Sequence, residues 1–333
     1  MSIRKFASAL VGVALLAGCA TSNPASTPTP SAVETPAAAA PIQVASLKGP
    51  TSMGLSKFFA DGCTADTPCP AESPKYQFSV FGTADEIVSK LDSFQAVLIP
   101  ANLAAVLNKK TEGAVQVAAI NTLGVLHVVA KGEKVASFAD LEGKTIYSTG
   151  KGTTPQYVFE HLLSANKVKA KVEYLSEATE VAAKLTAADK GIAVLPEPYV
   201  TVVTAKDPSI KSVLDLSEEW SKVDSGSQLV TGVLAVKKAW ADANRAQFEE
   251  FLNAYGESVQ FTNQQPEAAG EAITALGITP SAQVAAKAIP GAHIVFISGD
   301  EVEPALGGYL QVLFAADPKS VGGAEPGADL YWK

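Results

Sequence analysis

Between residue 42 and about residue 236, short apolar runs alternate with stretches whose apolar residues recur every three or four positions. That alternation restricts the chain to an α/β fold in which helices pack on mostly parallel sheets. Strands are expected at Ile42–Leu47, Gln77–Phe81, Ala96–Ile99, Val115–Ile120, Val125–Ala130, Thr145–Ser148, Lys171–Leu175, Ile192–Leu195 and Leu229–Val236. Helices are expected to start near Met53, Ala84, Asn102, Phe138, Thr154, Glu177 and Tyr199, several behind a Thr, Ser or Asn able to cap the first turn. The last hundred or so residues turn helical, with Lys238–Phe261, Pro266–Leu276 and Glu303–Phe314 as candidates and one further strand at His293–Phe296.

From residue 42 to residue 333 there is enough chain for two lobes of ordinary domain size. The spacing predicts a first lobe from residues 42–126 and 234–333 and a second from 127–233. The chain would leave near Val125–Lys131 and return through Leu229–Lys237, so that two connecting strands form a hinge.

The first nineteen residues read as a targeting segment, with Arg4 and Lys5 ahead of an apolar run, Phe6–Leu16, too short to span a bilayer. The run ends in Leu16-Ala17-Gly18-Cys19, which resembles the bacterial lipobox. The resemblance implies that Cys19 is diacylated and becomes the mature N-terminus, an anchor to which each buried CH₂ contributes about 0.8 kcal/mol; an ordinary leader with a chance Cys is the alternative. Residues 20–41, rich in Pro, Thr, Ser and Ala, lack the apolar side chains to fold and read as a tether. Cys63 and Cys69 then favour a small disulfide loop over two free thiols, and a zinc site is disfavoured because no His lies near them.

The formal net charge of −8 argues against nucleic acid as a partner. Arg4 leaves with the leader, so Arg245 is the only arginine of the mature chain, and no guanidinium fork is at hand elsewhere for a carboxylate or phosphonate.

The segment SFADLEGKTIYSTGKGTTPQYVFEHLL, Ser137–Leu163, closely resembles the entry to the second lobe of ABC-importer solute-binding proteins. An opening strand such as IQVASLKGP and the strand-end Leu195-Pro196-Glu197-Pro198 fit the same family. The resemblance covers residues 42 to about 260 and lies near the binding proteins for sulfonates, nitrate and thiamine-precursor pyrimidines. It implies the two-lobed type II periplasmic-binding-protein fold, each lobe a mostly parallel sheet flanked by helices. It also implies an extracytoplasmic monomer that closes on a small polar solute and delivers it to a permease and its ATPase on separate chains.

In open α/β sheets, ligands lie outside the carboxyl ends of strands, where loops enter helices and free backbone N–H groups converge. The expected lining is Thr51, Ser52, Met53, Thr83, Asn102, Asn121 and Thr122 from the first lobe, and Thr149, Gly152, Thr153 and Thr154 from the second, with Glu197 and Tyr199 at the rim. Each has a plainer reading. Thr51, Thr83 and Thr154 also serve as helix caps, Met53 as core filling and Glu197 as a first-turn carboxylate favoured by the helix dipole. Lys151 reads as a solvated loop charge and His127 as a core or hinge residue.

Catalytic motifs are missing: there is no G-x-S-x-G, the three histidines His127, His161 and His293 are scattered, and Gly143-Lys144-Thr145 lacks the upstream Gly of a P-loop. No catalytic residue, cofactor or metal is expected. The ligand reads as a neutral pyrimidine-like heterocycle, or else an anion held by helix N-termini and Thr hydroxyls. The alternatives for function are an enzyme on the same fold and a ligand sensor without a transporter.

Overall fold

The computed structural model describes residues 40–67, 69 and 75–333. The expected leader 1–19, the lipidation site Cys19 and the tether 20–41 up to residue 39 lie outside the described residues. Eleven strands follow: β1 Ile42–Leu47, β2 Tyr76–Phe81, β3 Ala96–Pro100, β4 Val115–Leu123, β5 Leu126–Lys131, β6 Thr145–Ser148, β7 Lys171–Tyr174, β8 Gly191–Pro196, β9 Ile210–Asp215, β10 Val230–Lys237 and β11 Ile294–Ser298. They form a six-stranded sheet in the order β11-β4-β10-β3-β1-β2 and a five-stranded sheet in the order β7-β6-β8-β5-β9.

In the first sheet β1 to β4 run one way, and β10 and β11 oppose them; in the second only β5 opposes the rest. The crossings explain this. β4 ends at Leu123 and β5 begins at Leu126 in the other sheet, so the chain changes lobes over Gly124 and Val125. A strand entered by such a crossing starts at the interlobe face, whereas an ordinary β-α-β strand ends there. β10, which brings the chain back, is reversed for the same reason.

Local sequence explains most elements. Thr83 caps the Ala84–Ser89 helix in a reciprocal box with Glu86, whose carboxylate accepts from Thr83 N at 3.0 Å. Helix Thr154–Ala165 starts with Pro155 in its first turn and buries Val158, Phe159, Leu162 and Leu163 along one face. Phe159 is fully enclosed, and truncating it to Ala would cost about 3 to 5 kcal/mol.

Three expectations are corrected. β4 runs on through Asn121 and Thr122, past its expected end at Ile120: both are buried, and Thr122 pairs with β10 and β11. β9 was not foreseen, since as an edge strand it buries only Ile210 and Leu214 and shows no continuous apolar run. The single helix expected over Lys238–Phe261 is two, Lys238–Ala243 and Arg245–Gln264, broken at Asn244, whose side-chain amide donates to Trp240 O at 2.9 Å.

The first lobe's core holds an aromatic cluster of Phe58, Phe78, Phe248, Phe251 and Tyr255. The chain's end seals that lobe: Trp332 N donates to Val117 O at 2.9 Å, and the ring packs edge-on against Phe248. Arg245 lies over the Trp332 ring and donates to Lys333 O at 2.7 Å. Arg245, the one arginine among the described residues, is thus engaged at this end of the lobe.

Candidate functional site

A cavity of about 320 Å³ lies between the two sheets, at the lower end of the range for small-molecule sites. Its walls come from strand ends of both lobes. β1 supplies Leu47 and the following Lys48, β3 ends at Pro100, and β8 ends at Pro196; Leu126 and Thr231 come from the starts of β5 and β10. Helix starts complete it, with Pro50 and Thr51, Thr83 and Ala84, Thr153 and Thr154, and Tyr199.

Of the residues expected to line a site, Thr51, Thr83, Thr149, Thr153, Thr154 and Tyr199 stand on this wall. Thr51 is buried and donates its hydroxyl to Leu47 O at 2.7 Å. Thr153 donates to Gly150 O at 2.8 Å, and Thr149 to Ser176 O at 3.4 Å. Thr83 is both a cap and a wall residue, because a helix start and a cavity mouth occupy the same place.

The other expected residues lie behind the wall. Ser52 is fully buried and is spent on Ser46 Oγ at 2.6 Å and Leu47 O at 2.8 Å. Met53 is in the first lobe's core. Asn121 reaches Thr51 O at 3.5 Å and accepts from Thr122 Oγ1 at 3.0 Å. Gly232 makes this packing possible, since a Cβ there would fall 2.5 Å from Asn121 Oδ1 and 2.7 Å from Thr51 Cγ2. Glu197 is buried against Gly291 and accepts from Thr201 N at 3.1 Å and Thr201 Oγ1 at 3.0 Å. Burial raises its carboxyl pKa above the ordinary value, and those two hydrogen bonds oppose the shift.

Asn102, also fully buried, joins the lobes. Its amide donates to Ser320 O at 2.9 Å within its own lobe and to Gly152 O at 3.4 Å across the interface. Its Oδ1 accepts from Thr154 Oγ1 at 3.3 Å, and that hydroxyl in turn accepts from Tyr309 at 3.3 Å. The Thr154 helix start is therefore held by two first-lobe side chains, Asn102 and Tyr309.

Wall residues that sequence reasoning passed over include Lys48, Asp85, Leu126, Leu175 and Thr231. Charge is distributed unevenly among them. Asp85 and Lys151 are exposed and Lys48 is half-buried, whereas the buried wall of Thr51, Pro100, Leu126, Thr154, Pro196, Tyr199 and Thr231 carries no charge. The inner end of the cavity thus offers hydroxyls and apolar surface, and ammonium and carboxylate groups stand only toward solvent. Cys63 and Cys69 are disulfide-bonded and border a different depression, beside Phe58 and Tyr76.

The NMT1/THI5 like family model matches residues 105–269. Among solved structures, the chain is similar to an ABC transporter protein from Parabacteroides distasonis, with 22% identity, a TM-score of 0.71 and coverage of 89% of this chain and 99% of that one. It is also similar to the periplasmic aliphatic sulphonate binding protein of Escherichia coli (13% identity, TM-score 0.66, 88% and 96% covered). A third is the periplasmic nitrate-binding protein of Synechocystis (11% identity, TM-score 0.57, 78% and 74% covered). No curated protein sequence matches. Over residues 105–269 the chain is thus similar to the NMT1/THI5-like family, and as described it has the two-lobed type II periplasmic-binding fold.

Proposed function

We propose that this chain is the extracytoplasmic solute-binding component of an ABC importer, which encloses a small polar molecule between its lobes and presents it to a permease. The observation that carries this reading is the interlobe cavity, walled by strand ends and helix starts of both sheets, on a fold shared with sulphonate- and nitrate-binding proteins. The chain up to Leu123 and from Val230 onward acts as one lobe and the stretch from Leu126 to Leu229 as the other, so the boundaries expected at 126/127 and 233/234 fall inside β5 and β10. Ligand contacts made in full only in the closed state shift the population toward closure. About 5.5 kcal/mol of preference would turn a 1:99 equilibrium into 99:1, within reach of a few buried hydrogen bonds and the Tyr199 ring.

In this reading the protein works as a monomer, tethered to the membrane through lipid on Cys19. Thr51, Thr83, Thr149, Thr153, Thr154 and Tyr199 meet the solute directly; Ser52, Met53, Asn102, Asn121, Thr122, Gly152 and Glu197 support them. The uncharged inner wall favours a neutral heterocycle over an anion. Catalysis is not part of the proposal: Cys63 and Cys69 are paired and border another depression, and the Glu197 carboxylate accepts from the helix start at Thr201.

Thermal-shift screening with small metabolites tests the reading. Stabilisation by one chemical class, lost when Tyr199 is replaced by Ala, is expected. Turnover of a bound compound would overturn the transport reading in favour of an enzyme.

A further inference from the structure

Closure of the two lobes, on which the capture reading above rests, needs a pivot where the chain crosses between them. β4 ends at Leu123 and β5 begins at Leu126, so Gly124 and Val125 lie between the sheets. Their carbonyls are held from opposite sides. Gly124 O accepts from Nδ1 of His293, which directly precedes β11 of the first lobe. Val125 O accepts from Glu197 N at 3.0 Å, just past the end of β8 in the second lobe.

A peptide unit is planar and stiff, so each carbonyl carries its whole unit with the lobe that holds it. The unit bearing Gly124 O goes with the first lobe and the unit bearing Val125 O with the second. These two units share only the Cα of Val125. Rotation at this crossing is thereby left to Val125 φ and ψ.

His293 has an unusual backbone for a residue with a side chain: it is left-handed, at φ 43° and ψ 47°, a conformation that costs free energy unless its surroundings hold it. In that conformation two of its polar groups meet the crossing. Its carbonyl accepts from Leu123 N at 3.2 Å while its ring bonds Gly124 O. A carbonyl oxygen only accepts, so Nδ1 carries the proton. Gly124 itself has no room for a side chain, since a Cβ there would fall 3.0 Å from Ser217 Cβ and 3.3 Å from Leu229 Cδ2. Leu229 directly precedes β10, so the outgoing and returning crossings touch at this point.

We infer that His293 is a positioning residue for solute capture: its Nδ1–H clamps Gly124 to the first lobe and confines the turning of the first crossing to Val125. Without the clamp Gly124, which has the freest backbone of any residue, would turn as well, and the empty lobes would sample a wider range of openings.

The test measures the interlobe distance distribution of the full-length chain with no solute added. Double electron–electron resonance is recorded between spin labels at exposed Ser93 in the first lobe and exposed Ala187 in the second, attached through non-natural residues so that no cysteine is altered. His293→Gly accepts the left-handed backbone and removes the donor. His293→Asn tolerates the same backbone and restores an amide donor close to where Nδ1 stands. Val125→Gly loosens the pivot with the clamp in place. Melting curves establish that each variant is folded at the temperature of measurement.

Two turning residues in place of one should widen the distribution about 1.4-fold in His293→Gly, following the square-root growth of a flexible linker. Wild-type width in His293→Asn and a wider distribution in Val125→Gly are expected beside it. Wild-type width in His293→Gly would overturn the clamp, and a widening that His293→Asn fails to reverse would overturn the hydrogen bond as its cause. Wild-type width in Val125→Gly would overturn the pivot. Capture is judged separately, by the thermal-shift screen: a screen without any stabilising compound would count against solute binding and leave the clamp standing on the distance measurement.

Discussion

Replacing Asn102 with alanine separates interlobe closure from the folding of each lobe. The wild-type amide makes one short bond inside its lobe, to Ser320 O at 2.9 Å, and two long ones across the interface, to Gly152 O at 3.4 Å and from Thr154 Oγ1 at 3.3 Å. Loss of the first strands a buried carbonyl and lowers stability by about 1 to 3 kcal/mol. Each long bond stands near the low end of the usual net worth, so together they favour closure by about 1 kcal/mol, or about fivefold in the closed-to-open ratio. Single-molecule energy transfer between dyes on exposed positions of the two lobes, at saturating and at zero solute, reads that ratio, and solute affinity should fall by about the same factor. A variant that loses stability but keeps the wild-type closed fraction and affinity would refute the reasoning, reducing Asn102 to a strut for the Ser320 turn.

Other expectations follow from neighbouring groups. Burial raises the Glu197 carboxyl pKa in the folded protein, so the wild type is penalised as pH rises from the ordinary carboxylate value through the raised one. Glu197→Gln should therefore melt higher than wild type near pH 8 and show no such gain near pH 4, and a gain that is constant with pH would contradict this. His127 is shifted the other way, down, by burial, with Asp215 opposing. Its contribution is present above the ordinary histidine range and lost as pH falls through it, and His127→Gln should flatten that decline in melts between pH 8 and pH 5. Reducing the Cys63–Cys69 bond, with a sequence separation of 6, should cost about 2 kcal/mol of stability. Solute affinity should stay unchanged in that experiment, since the bond borders another depression. Gly232→Ala drives a Cβ against Asn121 and Thr51 and should cost about 1 to 3 kcal/mol together with solute binding, measured by chemical denaturation and titration.

Much of the fold can be read from the chain because apolar runs and helix starts are local signals: the Thr154–Ala165 helix carries its Pro, its cap position and its buried stripe within a dozen or so residues. The threonines at helix starts stand on the cavity wall for the same local reason, since strand ends and helix starts meet at the interlobe face. What cannot be read depends on distant partners. Asn121 and Thr122 look like loop residues until β10 and β11 are placed on either side of them. β9 has too little buried surface to announce itself. The link from Asn102 to Thr154 spans 52 residues, and the register shift at Thr231 exists only once β10 lies against β4.

Co-crystallisation with the strongest hit of the thermal-shift screen tests the central claim most directly. The account predicts electron density for the compound between the sheets, against Thr51 and Tyr199, with the lobes closed over it. Density elsewhere on the surface, with the interlobe space filled by side chains, would contradict it.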